Sequence, residues 1–365
     1  MQINAAVVRE AGKPFVIEEL ELDGPKAGEI LVKIHSAGVC HTDIGVRNQW
    51  LPVPLPLVLG HEGAGVVEAV GEGVSKVAPG DKVVLTYAAC HTCTMCRRGE
   101  PSYCEQFMAH NVAGSRPDGT NALHGEGDVH GFFFSQSSFA SHAIALESNT
   151  VKLPDDADLS LVGPLGCGLQ TGAGTVLNRL RPAAGSSFAV FGAGAVGLAA
   201  LMAAKAVGCT TVIAVDLVAD RLTLAEEVGA THTINGATEN VVDEIRRITG
   251  GGVDFTVDTT AVTAAVRQAV DCLAPKGTCA VLGFGQAGTE IQVDMLELLL
   301  TGRTITGVTE GDARPDEFIP QLLELHAQGR FPFEKLITSY SFDEINTACD
   351  DSESGKSIKP VLRMA

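Results

Sequence analysis

Short apolar runs broken by Gly and Pro dominate the first 157 residues. Ile30–Ile34, Gly65–Val70 and Lys82–Leu85 are of strand length, and the last follows the turn Ala78-Pro79-Gly80-Asp81. Brief strands between frequent turns predict a compact β-rich lobe. From about residue 158 to 302 the texture changes. Strand-length runs at Phe188–Phe191, Thr211–Val215, Phe255–Asp258 and Cys279–Leu282 alternate with helical segments at Val196–Val207, Arg221–Val228 and Ala264–Leu273. That rhythm predicts a parallel sheet with helices on both faces, a doubly wound α/β arrangement. From about 303 a strand–helix–strand texture returns, with a helix over Pro315–Gln328. Residues 110–131 show little periodicity and read as a long surface loop, of the kind that serves a site or an interface.

Composition narrows the class. The 365 residues, 45% hydrophobic with 41 glycines, suffice for two domains with sizeable cores. A formal net charge of −18 argues against nucleic acid or an anionic membrane surface as partner. No stretch approaches the roughly 20 apolar residues of a membrane span; the best, Leu198 to Gly208, is interrupted by Lys205. The N-terminus lacks a basic segment followed by an apolar run, so no signal peptide is expected. Ten cysteines without an export signal point to a reducing compartment, and the expected location is the cytoplasm.

Four of those cysteines lie close together as Cys90-x2-Cys93-x2-Cys96-x7-Cys104. Each short spacing lets a tight turn bring two thiolates to one point, and the longer step lets the fourth complete a tetrahedron. This is the ligand pattern of a structural Zn²⁺, held at about 2.3 Å per sulfur with no position open to water. Arg97 and Arg98 offset the negative charge of such a centre. A closed site holds a lobe together, here expected over about 88–106, and does not catalyse.

Strand Phe188–Phe191 runs directly into Gly192-Ala193-Gly194-Ala195-Val196-Gly197, which opens a helix. In that context Gly192 makes the tight turn, Gly194 admits a pyrophosphate to the backbone, and Gly197 allows close helix–strand packing. The helix N-terminus then presents unpaired N–H groups to the phosphates. The next strand ends at Asp216, about 20 residues on, where a carboxylate accepts from the ribose hydroxyls and repels a 2′-phosphate. Leu217 follows, not a basic residue, so the cofactor is expected to be NAD rather than NADP.

Three further residues have metal-ligand chemistry. Cys40 sits in Gly38-Val39-Cys40-His41-Thr42-Asp43, His61 in Gly60-His61-Glu62-Gly63-Ala64-Gly65, and Cys167 in Gly163-Pro164-Leu165-Gly166-Cys167-Gly168. Singly each is weak, since a lone Cys is usually a small buried hydrophobe. Together they offer two thiolates and an imidazole, the ligand set of a catalytic zinc with an open fourth position.

With these motifs the chain resembles the zinc-dependent alcohol dehydrogenases of the medium-chain dehydrogenase/reductase superfamily over essentially its whole length, to Gly355-Lys356-Ser357-Ile358-Lys359. Within that family it is most similar to the bacterial aryl-alcohol (benzyl alcohol) dehydrogenases, through Phe133-Phe134-Ser135-Gln136-Ser137-Ser138-Phe139-Ala140, Leu165-Gly166-Cys167-Gly168-Leu169-Gln170-Thr171-Gly172-Ala173-Gly174 and Gly329-Arg330-Phe331-Pro332-Phe333-Glu334.

The resemblance implies a GroES-like catalytic domain (1–157 and 303–365) around a Rossmann domain (158–302). It also implies interconversion of primary alcohols and aldehydes by hydride exchange with NAD, two Zn²⁺ per subunit, and a homodimer or homotetramer. It implies that Cys40, His61 and Cys167 ligate the catalytic zinc, that Asp43 fixes the tautomer of His61, and that Glu62 lies behind the metal. Thr42 would bond the substrate hydroxyl, His41 and Lys359 would meet the cofactor pyrophosphate, and Arg221 would flank the ribose beside Asp216. Trp50, Leu51 and Tyr87 would line the substrate channel. Gly45 stands where animal and yeast relatives carry a proton-relay His, so that relay is not expected. The alternative readings are an allylic terpene alcohol (geraniol-type) dehydrogenase, a formaldehyde dehydrogenase acting on a hydroxymethyl-thiol adduct, and, from another class, a non-catalytic NAD-binding regulator.

Overall fold

The computed structural model describes residues 1–364, which fall into two compact units. The first comprises Met1–Cys167, Arg314–Gln321 and Leu336–Ala365; the second comprises Gly168–Ala313 and Leu322–Lys335. The first division thus falls at Cys167, not at the expected 157. The single turn Gly163–Gly166 packs with the first unit, because its glycines approach the backbone of Glu62 and Leu85 too closely for side chains.

The first unit contains two sheets. A seven-stranded sheet runs in the order Ile337–Ser341, Lys359–Arg363, Glu29–Gly38, Gly63–Val70, Lys82–Leu85 and Thr150–Lys152, with His142–Leu146 also paired to Glu29–Gly38. A four-stranded sheet runs Leu57–Val58, Gln2–Val8, Val16–Leu22, Leu123–His124. Period-two alternation places Ile30, Val32 and Ile34 of one strand in the main core with Phe133, Phe139 and Leu85. The C-terminal strand pairs antiparallel with Glu29–Gly38, so the last residues of the chain complete the sheet that begins near its start.

The expected loop at 110–131 is tethered. A helix over Phe107–Asn111 runs into it, and Leu123–His124 adds a strand to the smaller sheet. The buried Arg116 guanidinium donates to both oxygens of Glu29, at 2.7 and 3.1 Å. Elements this short leave no periodicity to read.

The second unit carries a six-stranded parallel sheet in the order His232–Asn235, Thr211–Asp216, Ser187–Phe191, Val253–Asp258, Leu273–Val281, Thr304–Gly307. In chain order this is 3-2-1-4-5-6, the doubly wound dinucleotide-binding topology. Its order reverses beside the first strand, outside whose carboxyl end ligands bind. The strands read as apolar runs, not alternating ones, because both faces are buried: Phe188–Phe191 and Val212–Ala214 are all sealed. The strand His232–Asn235 and the helix Val241–Thr249 are among the elements of this unit that were not foreseen. Each buries only one or two side chains: Ile234 in the strand, Val241 and Ile245 in the helix.

Candidate functional site

The glycine-rich turn follows the first strand of the parallel sheet. Gly192 takes φ +94°, open to glycine at no cost, and a Cβ there would meet Thr259 Oγ1 at 2.5 Å. Gly194 caps the helix Ala195–Ala206, and nothing lies near the space its Cβ would fill, so a phosphate has access to the backbone. Gly197 is in the first turn of that helix. Asp216 ends the second strand and organises the turn: Oδ2 accepts from the Ala193 N–H at 2.7 Å, and Oδ1 from the Leu217 and Val218 N–H groups at 2.7 and 2.9 Å. Arg221 Nη1 stands 3.8 Å from Asp216, while its buried Nε has no hydrogen-bond partner. A carboxylate beside an open glycine turn, with a spare guanidinium donor, fits a ribose and its phosphate.

Cys90, Cys93, Cys96 and Cys104 converge with their sulfurs within 4.8 Å of one another. The short helix Thr94–Arg97, capped by Cys93, carries Cys96 back toward Cys90 at 3.9 Å. Backbone N–H groups point at the sulfurs: Cys93 to Cys90 and Cys90 to Cys104, both at 3.3 Å, and Gln106 to Cys104 at 3.4 Å. None of the ten cysteines is joined in a disulfide. Burial opposes ionisation of Cys90, but hydrogen bonds from Thr92 and Cys93 outweigh it and bring the thiol down to about 5. Burial pushes Cys96 up to about 12. Four converging sulfurs with N–H support fit a tetrahedral zinc, whose charge would ionise all four.

A second ligand cluster joins Cys40, His61, Glu62 and Cys167, again within 4.8 Å. Cys40 caps the helix His41–Arg47, and Asp43 on its first turn closes a capping box by accepting the Cys40 N–H on Oδ2 at 3.1 Å. Asp43 Oδ1 takes His61 Nδ1 at 2.9 Å and the Gly60 N–H at 3.0 Å. A carboxylate accepts only, so Nδ1 carries a proton, and Nε2 is the nitrogen that a metal would take. That Nε2 is sealed from solvent with no hydrogen-bond partner. Burial disfavours charge on the imidazole, yet Asp43 and Cys40 raise its pKa well above the usual value. The Cys167 sulfur, with His61 and Lys359, holds Cys40 well below the ordinary thiol range against burial. An orphaned buried nitrogen facing two thiols in an anion-rich pocket fits a divalent metal.

Glu62 joins the ligand cluster, and Lys359 is turned toward it. Lys359 is 3% exposed, and its ammonium donates to both oxygens of Glu62 at 3.0 Å and to the Val39 carbonyl at 3.1 Å. All three N–H donors are engaged inside the first unit, so Lys359 has none left for a cofactor phosphate. The physical reason is its place at the start of the final strand, which the sheet carries inward past Cys40. Burial lowers the ammonium's proton affinity, but Glu62, Cys40 and Cys167 more than offset it and the pKa is raised.

Thr42 Oγ1 lies 3.8 Å from Cys40 Sγ, and the exposed His41 rests its ring against Trp50 at 5.6 Å. Leu51 packs on the main core. Tyr87, expected at the channel, is 2% exposed and belongs to that core, 6.0 Å from the Phe107 ring. Gly45 is buried within the helix His41–Arg47. Sequence reasoning assigned no role to the aromatic residues that touch the ligand: the Phe134 ring lies 4.6 Å from His61, and Phe133 meets it edge-on at 5.5 Å. The run Phe132-Phe133-Phe134, followed by a polar stretch sealed before Phe139, was the available signal.

Residues 26–155 match the alcohol dehydrogenase GroES-like domain family and residues 195–328 the zinc-binding dehydrogenase family. The chain is 46% identical to geraniol dehydrogenase of Castellaniella defragrans, over 98% of this chain and 97% of that protein. It belongs to the zinc-type alcohol dehydrogenases. The crystal structure of benzyl alcohol dehydrogenase from Acinetobacter calcoaceticus superposes with a TM-score of 0.98 at 48% identity, covering all of both chains. An alcohol dehydrogenase zinc-binding domain protein from Burkholderia ambifaria gives 0.98 at 53% identity, over 100% of this chain and 99% of that one. A zinc-type alcohol dehydrogenase interconverts alcohols and aldehydes with NAD and zinc as cofactors, and both metal-type clusters are present here. Among the described residues no helix is long and apolar enough to cross a membrane.

Proposed function

We propose that this alcohol dehydrogenase acts on benzylic primary alcohols and the corresponding aldehydes, with Cys40, His61 and Cys167 as ligands of the catalytic zinc. When bound, zinc supplies Lewis acidity toward the alcohol oxygen and NAD⁺ supplies the hydride acceptor. Asp43 keeps the His61 proton on Nδ1 and leaves Nε2 for the metal. Thr42, beside Cys40, accepts a hydrogen bond from the substrate hydroxyl and relays its proton toward water by giving up its own. Gly45 offers no side chain to pass that proton on along the helix. Glu62 is held back by Lys359, and Asp216 with Arg221 receives the adenosine ribose.

One observation carries the aryl reading: the chain superposes over its whole length on a benzyl alcohol dehydrogenase at 48% identity. Conjugation in such a substrate stabilises the partial carbonyl as hydride leaves. The equally near geraniol dehydrogenase favours a second one, an allylic terpene alcohol with the same conjugation next to the reacting carbon.

NADH formation across benzyl, cinnamyl, geranyl and short aliphatic alcohols, with and without chelator, tests both. The aryl reading requires kcat/KM for benzyl alcohol at least tenfold above geraniol and chelator-sensitive turnover. The reverse order establishes the allylic reading. Turnover of formaldehyde only with added thiol overturns both.

A further inference from the structure

The three residues assigned to the catalytic metal come from distant parts of the chain, and two separate hydrogen-bond bridges hold them in register. The first is Asp43, which joins Cys40 to His61. The second runs from His61 to Cys167 through groups that touch neither metal nor substrate. Gln136 is 2% exposed. Its Nε2 donates to the His61 carbonyl at 3.0 Å and to the Thr86 carbonyl at 3.2 Å, while its Oε1 accepts the Gly63 N–H at 3.1 Å. Both amide hydrogens and the oxygen are used on backbone groups. The Gln136 amide therefore grips the ligand-bearing segment on both sides of Glu62.

Thr86 continues the bridge. It is fully buried, and its hydroxyl donates to the Gly166 carbonyl at 2.6 Å, on the peptide that leads into Cys167. A Cβ at Gly166 would collide with the Leu85 carbonyl, so the Cys167 segment lies directly on the strand that ends before Thr86. Asn149 anchors Thr86 from the far side. The Thr86 N–H donates to the Asn149 carbonyl at 2.9 Å, and Asn149 Nδ2 donates back to the Thr86 carbonyl at 3.0 Å.

The segment that presents Gln136 is itself held in an unfavourable form. Phe132, Phe134, Ser135 and Ser137 take φ of 60°, 51°, 52° and 51°, the left-handed region that bulky residues avoid. Asn149 Nδ2 reaches the Phe134 and Ser135 carbonyls at 3.0 and 3.2 Å, and the Ser137 hydroxyl donates to the Val58 carbonyl at 2.6 Å. Such conformations persist only where the surroundings over-determine them, and they concentrate at functional sites. Here the consequence is to bring the Phe134 ring onto His61 and the Gln136 amide onto the backbone of that same residue.

We propose that Gln136 and Thr86 are positioning residues for the catalytic metal, setting the distance between His61 and Cys167 as Asp43 sets that between His61 and Cys40. The inference rests on the reading of Cys40, His61 and Cys167 as zinc ligands. Partners bonded directly to a ligand's side chain are worth tenfold or more in metal affinity; Gln136 and Thr86 act through the ligand backbone instead.

The test uses the fully zinc-loaded protein and needs no activity measurement. A zinc-binding dye in excess follows release of the two zincs from wild type, Gln136→Met, Thr86→Val and Thr86→Ser, while thermal unfolding is recorded in parallel. Met matches the volume of Gln, and Val that of Thr, without the hydrogen bonds. The four-cysteine zinc, whose ligands take part in none of the bridge's hydrogen bonds, is the internal control. The expected result is that Gln136→Met and Thr86→Val release one zinc at least tenfold faster, while the other phase keeps its wild-type rate and Thr86→Ser restores slow release. Cobalt(II) placed in the faster-exchanging site is expected to show shifted absorption bands in the same two variants. Unchanged release, or equal acceleration of both phases, overturns the proposal even if wild type carries two zincs. Should Gln136→Met fail to fold, the Thr86 pair decides alone. A wild-type protein that retains zinc only in the four-cysteine lobe overturns the ligand assignment itself, and the bridge with it.

Discussion

Replacing Lys359 with Met removes the ammonium but keeps most of the aliphatic stem, and it tests whether this residue serves Glu62 or a cofactor. Glu62 is 0% exposed, and both its oxygens are held by Lys359. Removing one partner of a buried ion pair typically costs about 3–5 kcal/mol, because the other charge remains in a medium that does not solvate it. The carboxyl can escape by taking up a proton, which sets a ceiling. Neutralising a carboxyl of ordinary pKa about 4.3 at pH 7 spans about 2.7 units at 1.36 kcal/mol each, or about 3.7 kcal/mol. Burial already pushes the Glu62 carboxyl up, and loss of the ammonium pushes it further. The folded pKa then stands well above the unfolded one, so the penalty is full at neutral pH and fades as pH falls toward about 4.3. At pH 5 the same arithmetic leaves about 1 kcal/mol. The variant Lys359→Met/Glu62→Gln, with no charge to bury, is expected to recover most of the loss at pH 7. Urea unfolding of zinc-loaded wild type, both single variants and the double variant, at pH 7 and pH 5, measures each corner of the cycle. A single variant within 1 kcal/mol of wild type at pH 7, or a double variant as unstable as the two singles summed, refutes the reasoning. A raised KM for NAD with unchanged stability returns Lys359 to the cofactor.

Cys104→Ser takes one ligand from the four-cysteine cluster, and metal analysis is expected to find one zinc per chain lost together with a lower unfolding temperature; full zinc content would rule the cluster out as a metal site. Asp216→Gly combined with Leu217→Arg removes the ribose acceptor and adds a base at an exposed position, and the kcat/KM ratio for NADP over NAD is expected to rise at least tenfold. Gly166→Ala drives a Cβ into the Leu85 carbonyl, whereas Gly185→Ala meets no neighbour and strains only a φ of +92°. The first is expected to cost several times the roughly 1 kcal/mol of the second by thermal unfolding, since backbone cannot yield to it. Glu147 accepts the Ser75 and Lys76 N–H groups at 2.6 and 2.7 Å, which lowers its pKa. Its contribution is therefore present above the unfolded carboxyl value and lost as pH falls through the folded one. Glu147→Gln is expected to be less stable than wild type at pH 7 and to close on it as pH falls below the ordinary carboxylate range, and a constant gap between the two would contradict this.

Local chemistry was legible because it is written at short range. The four cysteines need only tight turns to meet, and Gly192, Gly194 and Gly197 need only a strand before and a helix after. Apolar strands alternating with helical segments specified the parallel sheet, since a strand buried on both faces cannot hide its composition. The two-residue strand Leu123–His124 and the helix Val241–Thr249 went unread for the converse reason, that too few of their side chains are buried to leave a pattern.

Residue types alone nominated Cys40, His61 and Cys167, yet the argument that they form one site is long-range. They stand in three separate segments, brought together by strand pairing and by glycine contacts that no window of sequence contains. The fate of Lys359 was decided in the same way. A lysine six residues from the terminus reads as a solvated base, and only the antiparallel pairing of the last strand with Glu29–Gly38 carries it inward to Glu62. Gln136 and Thr86 acquire their meaning from three dimensions too, because an amide or a hydroxyl has no function until folding fixes which backbone groups lie within 3 Å of it. Sequence by itself determined which chemistry this protein carries; the tertiary structure decided which side chains are spent on holding that chemistry in place, because hydrogen bonds depend on distances that only packing sets.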